Sequence, residues 1–264
     1  MEKVILQRFR AAIFLSAALP LGAFFLSDLA IEKNAVTQSL FAGGAPALGA
    51  LPLFFLKVLT DKMRTVFMGV SAGMMLSTSV LSLFLPAAQM GAGGAFFAFL
   101  FAALFLGGSL MNALDRFTPH QHVENFKRAP NFMLVVAAIA LHNIPEGLAV
   151  GVSAASALGD SITLSIALQN IPEGAIVATA LFSAGLSKMR TVLLTAATGL
   201  IEPLGALLGG ALASVELATP LALSFAAGAM LWVILHELLP AFLKKSPGQA
   251  GFWGGAGVMI FLLA

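Results

Sequence analysis

A hydrocarbon core is crossed by a helix of about 20 apolar residues. Nine stretches of this chain reach or approach that length: 11–30, 36–56, 65–87, 92–114, 131–155, 161–183, 191–213, 218–241 and 250–264. The last is the shortest, about 22 Å of helix at 1.5 Å per residue. So many apolar segments joined by short polar links leave one fold class, an all-α polytopic transmembrane bundle. Composition agrees. Only 10% of the residues are charged, against about 25% in a soluble domain, which is too few to build a wetted surface. A net charge of +2 with no basic run excludes a nucleic-acid partner. The chain has no cysteine, so it has neither a disulfide framework nor a thiolate metal site. Histidine, carboxylates and amides remain as metal ligands.

The first stretch follows Lys3, Arg8 and Arg10. It exceeds the 7–15 apolar residues of a signal peptide and reads as a retained span. Thirteen of the fourteen basic residues fall on one side of the resulting topology, and only Lys33 on the other. The positive-inside rule then places the N-terminus in the cytoplasm and the C-terminus outside. The chain is expected to be integral to a membrane in that orientation.

Leu141-His142-Asn143-Ile144-Pro145-Glu146-Gly147 recurs as Leu168-Gln169-Asn170-Ile171-Pro172-Glu173-Gly174, 27 residues later, on the next and antiparallel span. Leu48-Gly49-Ala50-Leu51 matches Leu204-Gly205-Ala206-Leu207 more weakly, and Ala72-Gly73-Met74-Met75-Leu76 resembles Ala227-Gly228-Ala229-Met230-Leu231. Members of each pair run oppositely through the membrane. Inverted repeats around Pro- and Gly-broken helices are a common transporter plan.

His142, Glu146, Glu173, Glu202, His236 and Glu237 all lie within predicted spans. A charge at the bilayer centre costs at least about 2.5–3.5 kcal/mol. No Lys or Arg lies at matching depth to neutralise Glu146, Glu173 and Glu202, so their counter-charge is protons or a bound cation. His142 and Glu146, at i and i+4, share a helix face with Asn143 beside them. Gln169, Asn170 and Glu173 repeat the arrangement. Pro145 and Pro172 are expected to kink their helices and free carbonyls, and Gly147 and Gly174 to admit a neighbouring helix. Imidazole, carboxylate and amide oxygen together suit zinc and similar first-row divalent ions.

Asn-x-Pro-Glu-Gly on two adjacent spans, preceded in the first by His142, resembles the metal-binding core of the ZIP (Zrt-, Irt-like protein) family of divalent metal transporters. Phe117-Thr118-Pro119-His120, Glu202-Pro203-Leu204-Gly205-Ala206-Leu207 and His236-Glu237 are similar to the bacterial GufA-type branch. The resemblance covers residues 36–264. It implies an eight-helix transport domain there, with residues 1–35 supplying a cytoplasmic segment and one extra N-terminal helix. It also implies a binuclear site, with one metal at His142, Glu146, Gln169 and Glu173. The other would lie at Asn143, Glu146, Asn170, Glu173 and Glu202, the two motif glutamates bridging. Many members have histidine in place of Gln169, and some relatives have aspartate in place of Asn170, so this site is less basic and less negative than theirs. By the same resemblance, zinc, cadmium, iron or manganese moves toward the cytoplasm as substrate. The expected motion is an elevator, with the second, fifth, sixth and seventh spans shifting against the third, fourth, eighth and ninth.

His236 and Glu237, near the cytoplasmic end of their span, are candidates for an exit-side metal contact. They do not form a zincin motif, which needs a second histidine at i+4. His120, His122 and Glu124 have chelating spacing in a cytoplasmic loop and suit metal gathering or sensing. Ser79 and Ser82 read as packing. The expected partners are the divalent ion and the lipid bilayer, and a homodimer is one assembly open to the chain. Two other classes stay open: a membrane-embedded metalloenzyme, and a proton-coupled transporter of another solute.

Overall fold

The computed structural model describes residues 34–55, 61–117, 132–215, 217–245 and 247–263. The expected first span and the loop carrying His120, His122 and Glu124 lie outside them. Among the described residues there is no strand. Helix α1, Ala35–Ala50, starts at Asn34, whose side chain accepts from the amides of Val36 and Thr37 at 2.9 and 3.0 Å and so satisfies two orphan donors of the first turn. Then follow α2 (Asp61–Ser77), α3 (Gly94–Phe117), α4 (Phe132–Ser153) and α5 (Gly159–Ser183). Helices α6 (Lys188–Gly199) and α7 (Glu202–Leu212) form one broken rod, and α8 (Ala218–Val233) and α9 (Ala250–Leu263) complete the order. Two π-helical segments, Thr78–Phe84 and Ile234–Leu238, continue α2 and α8.

Among the described residues, five helices are long and apolar enough to cross a membrane: Lys62–Gln89, Gly94–Arg116, Gly159–Ser183, Lys188–Leu212 and Ala218–Lys244. Of these α5 is the most enclosed, whereas α3 turns Phe99, Phe101, Phe105 and Leu106 outward. Lipid tails are as apolar as leucine, so helix association rests on close packing and polar contacts instead of water exclusion.

Glycine sets that packing, and it does so twice. A methyl on Gly49 of α1 would overlap Ile171 O of α5, and one on Gly205 of α7 would overlap Ile144 O of α4. In return Gly174 presses on Pro46 O and Gly147 on Glu202 O. These are equivalent residues of the two weakly matched repeats, so α1 on α5 and α7 on α4 are one packing unit used in both halves. The third match behaves alike: Gly73 of α2 abuts Gly254 O of α9, and Gly228 of α8 abuts Leu104 O of α3. Both π segments lie just beyond that glycine.

The closest helix pairs are α4 with α7, α1 with α5, α3 with α8 and α2 with α9, grouped below as a first and a second body. Helices α1, α4, α5, α6 and α7 pack together, and α2, α3, α8 and α9 form the rest. The bodies meet along α2 on α5 and α8 on α4. Ile162 and Ile166 join Met68, Met75, Leu223 and Met230 in one apolar core that draws on both.

Candidate metal centre

Helices α4 and α5 run through Pro145 and Pro172 and bring the two motif copies to the middle of the first body. Gly147 lets the backbone of Glu202 lie directly against α4. The α6–α7 rod breaks at Leu200 and Ile201, so Glu202 opens α7 with Pro203 behind it. A carboxylate there faces the positive end of the helix.

The three amides share one polarity. Asn143 Nδ2 donates to Thr198 O at 3.0 Å, and Gln169 Nε2 donates to Glu146 Oε1 at 2.7 Å. Asn170 Nδ2 donates to Glu202 Oε1 at 2.7 Å and to Ala42 O at 3.2 Å. Every amide thus donates to protein through its nitrogen and keeps its oxygen unpartnered. Asn143 Oδ1, Gln169 Oε1, Asn170 Oδ1, Glu146 Oε2, Glu173 Oε2 and Glu202 Oε2 are buried without a hydrogen-bond partner. A buried acceptor left unmade costs about 1–3 kcal/mol. Six together, with Glu146 in electrostatic range of Glu173 and Glu202, describe a place built to receive positive charge.

Among the described residues, no three histidine, aspartate or glutamate side chains converge to hold an ion by themselves. The amide oxygens of Asn143, Gln169 and Asn170 lie among the carboxylates as further acceptors. Such a donor set, mostly oxygen with one imidazole, fits divalent ions of the zinc, manganese and iron kind.

His142 is tied to the second body: its Nε2 lies 3.6 Å from Glu237 Oε1. The π segment at Ile234–Leu238 aims Glu237 inward, as π segments at functional sites often do. His236, its neighbour in sequence, is exposed. Its ring stacks on Trp232 at 4.7 Å, and its Nδ1 lies 3.1 Å from Trp232 O. The structure therefore brings Glu237 to the motif residues and leaves His236 apart.

The ZIP Zinc transporter family profile matches residues 116–263. The zinc transporter ZIPB of Bordetella bronchiseptica is 40% identical, over 83% of this chain and 76% of its own length. The zinc transporter GufA of Myxococcus xanthus is also 40% identical, over 78% and 87% respectively. The zinc transporter ZupT of Chlorobaculum parvum is 31% identical over 86% and 94%.

The chain belongs to the ZIP family. It is an integral membrane protein, and membership of a transporter family removes the enzyme alternative. On this ZIP chain the structure adds polar contacts that the motif did not announce. Ser82 of the first π segment meets Ser165 of α5, Oγ to Oγ, at 2.9 Å, so it does more than pack, whereas Ser79 bonds back to Met75 O at 2.7 Å. Gln38 of α1 donates to Asp160 Oδ1 at 3.1 Å and accepts from Thr163 Oγ1 at 3.1 Å. A glutamine inside an otherwise apolar span was the available signal for the latter.

Proposed function

We propose that this ZIP protein carries divalent metal ions, zinc foremost and cadmium, iron or manganese as alternatives, across the bacterial cytoplasmic membrane toward the cytoplasm. The observation that carries the reading is the set of six buried, unpartnered oxygens, three from amides that donate the other way and three from glutamates. Two ions share them: one at His142, Glu146, Gln169 and Glu173, the other at Asn143, Glu146, Asn170, Glu173 and Glu202. Every one of these ligands stands on the first body, so that body can travel with its cargo intact, and the packing division supports an elevator motion against the second. Glu237, reaching His142 from the second body, is the first exit-side contact, followed by His236 and the His120–His122–Glu124 loop.

Flux into vesicles holding the pure protein tests this, with zinc, cadmium, iron and manganese compared at equal concentration. Saturable zinc uptake is expected. Uptake of no metal, alongside a metal-independent flux driven by a pH gradient, would favour the transporter of another solute.

A further inference from the structure

The inward face of α6 is made of hydroxyls. Thr191, Thr195 and Thr198 are 0, 0 and 1% exposed, while Met189 and Leu193 on the other side are 58 and 60% exposed. A threonine inside a membrane helix commonly returns its hydroxyl to a carbonyl one turn back. Thr198 does so to Thr195 O at 2.7 Å, and Thr179 to Ala175 O at 2.6 Å. Thr191 and Thr195 do not: their Oγ1 atoms are buried with no hydrogen-bond partner. Helix-to-helix polar glue needs such partners, so it does not account for these two residues. Beside them, Val192 packs with Ala50, Leu53, Ala178 and Phe182, and Leu194 packs with Val136, Val177, Ala180 and Leu181.

The spacing gives the row a direction. Thr191, Thr195 and Thr198 follow at intervals of four and three residues, one face of α6 about 10 Å long, and Glu202 opens α7 beyond the break. The row begins one turn inside the Ser187 cap, at the end carrying Lys188 and Arg190. It finishes where Thr198 O holds Asn143 of the metal centre.

We propose that this hydroxyl face conducts water between the Lys188 end of the bundle and the metal centre, where it rehydrates the departing ion. The inference rests on the transport reading above. A divalent ion leaves an oxygen cage only as water replaces its ligands, and that water must come from somewhere. Threonine hydroxyls both donate and accept, so a row of them passes water along a helix that is otherwise apolar. At its inner end the row reaches the ligands, where the Thr198 backbone carbonyl accepts from Asn143 Nδ2.

X-ray-generated hydroxyl radicals label side chains beside bound water, and mass spectrometry reads the labelling independently of transport. In the full-length protein in lipid vesicles, Leu53 and Phe182 are expected to be labelled. In Thr191→Val with Thr195→Val the labelling falls several-fold. Zinc uptake at saturating zinc falls about tenfold, with equilibrium zinc binding unchanged. Thr191→Ser with Thr195→Ser retains both. If the double variant does not fold, Thr195→Val alone breaks the row at its middle and carries the same test. Labelling or uptake as fast in the valine variant as in wild type would overturn the proposal, as would a serine variant as slow as the valine one. Failure of the wild type to move any metal, with labelling lost in the valine variant, would count against the transport reading and not against the water path.

Discussion

Asn170 holds Glu202 to α1: its single Nδ2 donates to Glu202 Oε1 at 2.7 Å and to Ala42 O at 3.2 Å. Three helices thus meet on one amide. Asn170→Asp replaces that donor with an acceptor and sets a new carboxylate against Glu202. Without metal it is expected to destabilise the protein by at least about 1–3 kcal/mol, the cost of acceptors left unmade. With zinc present the added ligand tightens binding and restores stability. Thermal unfolding with and without zinc measures both, and a variant as stable as wild type in chelator would mean that the amide bears no weight.

Glu146→Ala and Glu173→Ala are each expected to abolish metal uptake while leaving a folded, membrane-inserted protein. Removing a buried carboxylate deletes a ligand and relieves a desolvation cost, while Glu146→Ala also leaves Gln169 Nε2 without its acceptor, so stability is expected to fall by no more than about 1–3 kcal/mol. Near-normal flux in both variants would remove these residues from the site.

Gln169→His is expected to tighten zinc binding about tenfold, equivalent to 1.4 kcal/mol, and to slow release. Imidazole is the stronger zinc ligand, and the position already touches Glu146 at 2.7 Å. Equilibrium binding of radioactive zinc is the check. Unchanged affinity in a well-folded variant means that position 169 does not face the ion.

Gly147→Ala and Gly44→Ala form a contrasting pair. The first methyl meets Glu202 O, backbone that cannot step aside, and the second meets nothing within 4 Å. Overpacking costs about 1–3 kcal/mol or more, so Gly147→Ala is expected to lower the unfolding midpoint by several degrees and to impair uptake. Gly44→Ala is expected to match wild type in both. Equal midpoints for the two variants would contradict the close α4–α7 crossing.

The absence of native cysteine makes the sliding surface testable. Ser82 and Ser165 lie on opposite bodies, Oγ to Oγ at 2.9 Å. Cysteines at both positions are expected to oxidise readily, to halt uptake when bridged, and to release it on reduction, whereas either single cysteine responds to neither treatment. Full flux through a cross-linked protein would show that the bodies do not move past each other.

Much of this architecture was legible in the chain. The doubled Asn-x-Pro-Glu-Gly motif marked the residues that the fold gathers into one buried polar cluster, because a carboxylate in lipid without a cationic neighbour has few explanations. The glycine matches located the helix crossings, because close backbone approach leaves no room for a side chain. The π segments left no such mark. Nothing in Ile234-Leu235-His236-Glu237-Leu238 announces one extra residue per turn, yet that turn decides that Glu237 reaches His142 while His236 stacks on Trp232. The 191–213 span read as one helix, because the break at Leu200 and Ile201 contains neither Gly nor Pro, and Pro203 behind it suits a first helical turn. Gln38 with Asp160 and Thr163 joins residues more than 120 positions apart, which no local pattern encodes.

Ser82 and Glu237 occupy equivalent places in the two inverted halves, each inside its own π segment, each reaching across to the other body. On the sliding-carrier reading proposed above, identical copies would give two end states related by a two-fold rotation, with equal free energies, and the protein would wait on either side half the time. A hydroxyl pair at one position and an imidazole–carboxylate pair at the other break that degeneracy. Because 1.4 kcal/mol shifts an equilibrium tenfold, drift at these two positions alone can reset the side on which the empty carrier rests, without altering a single ligand of the ion.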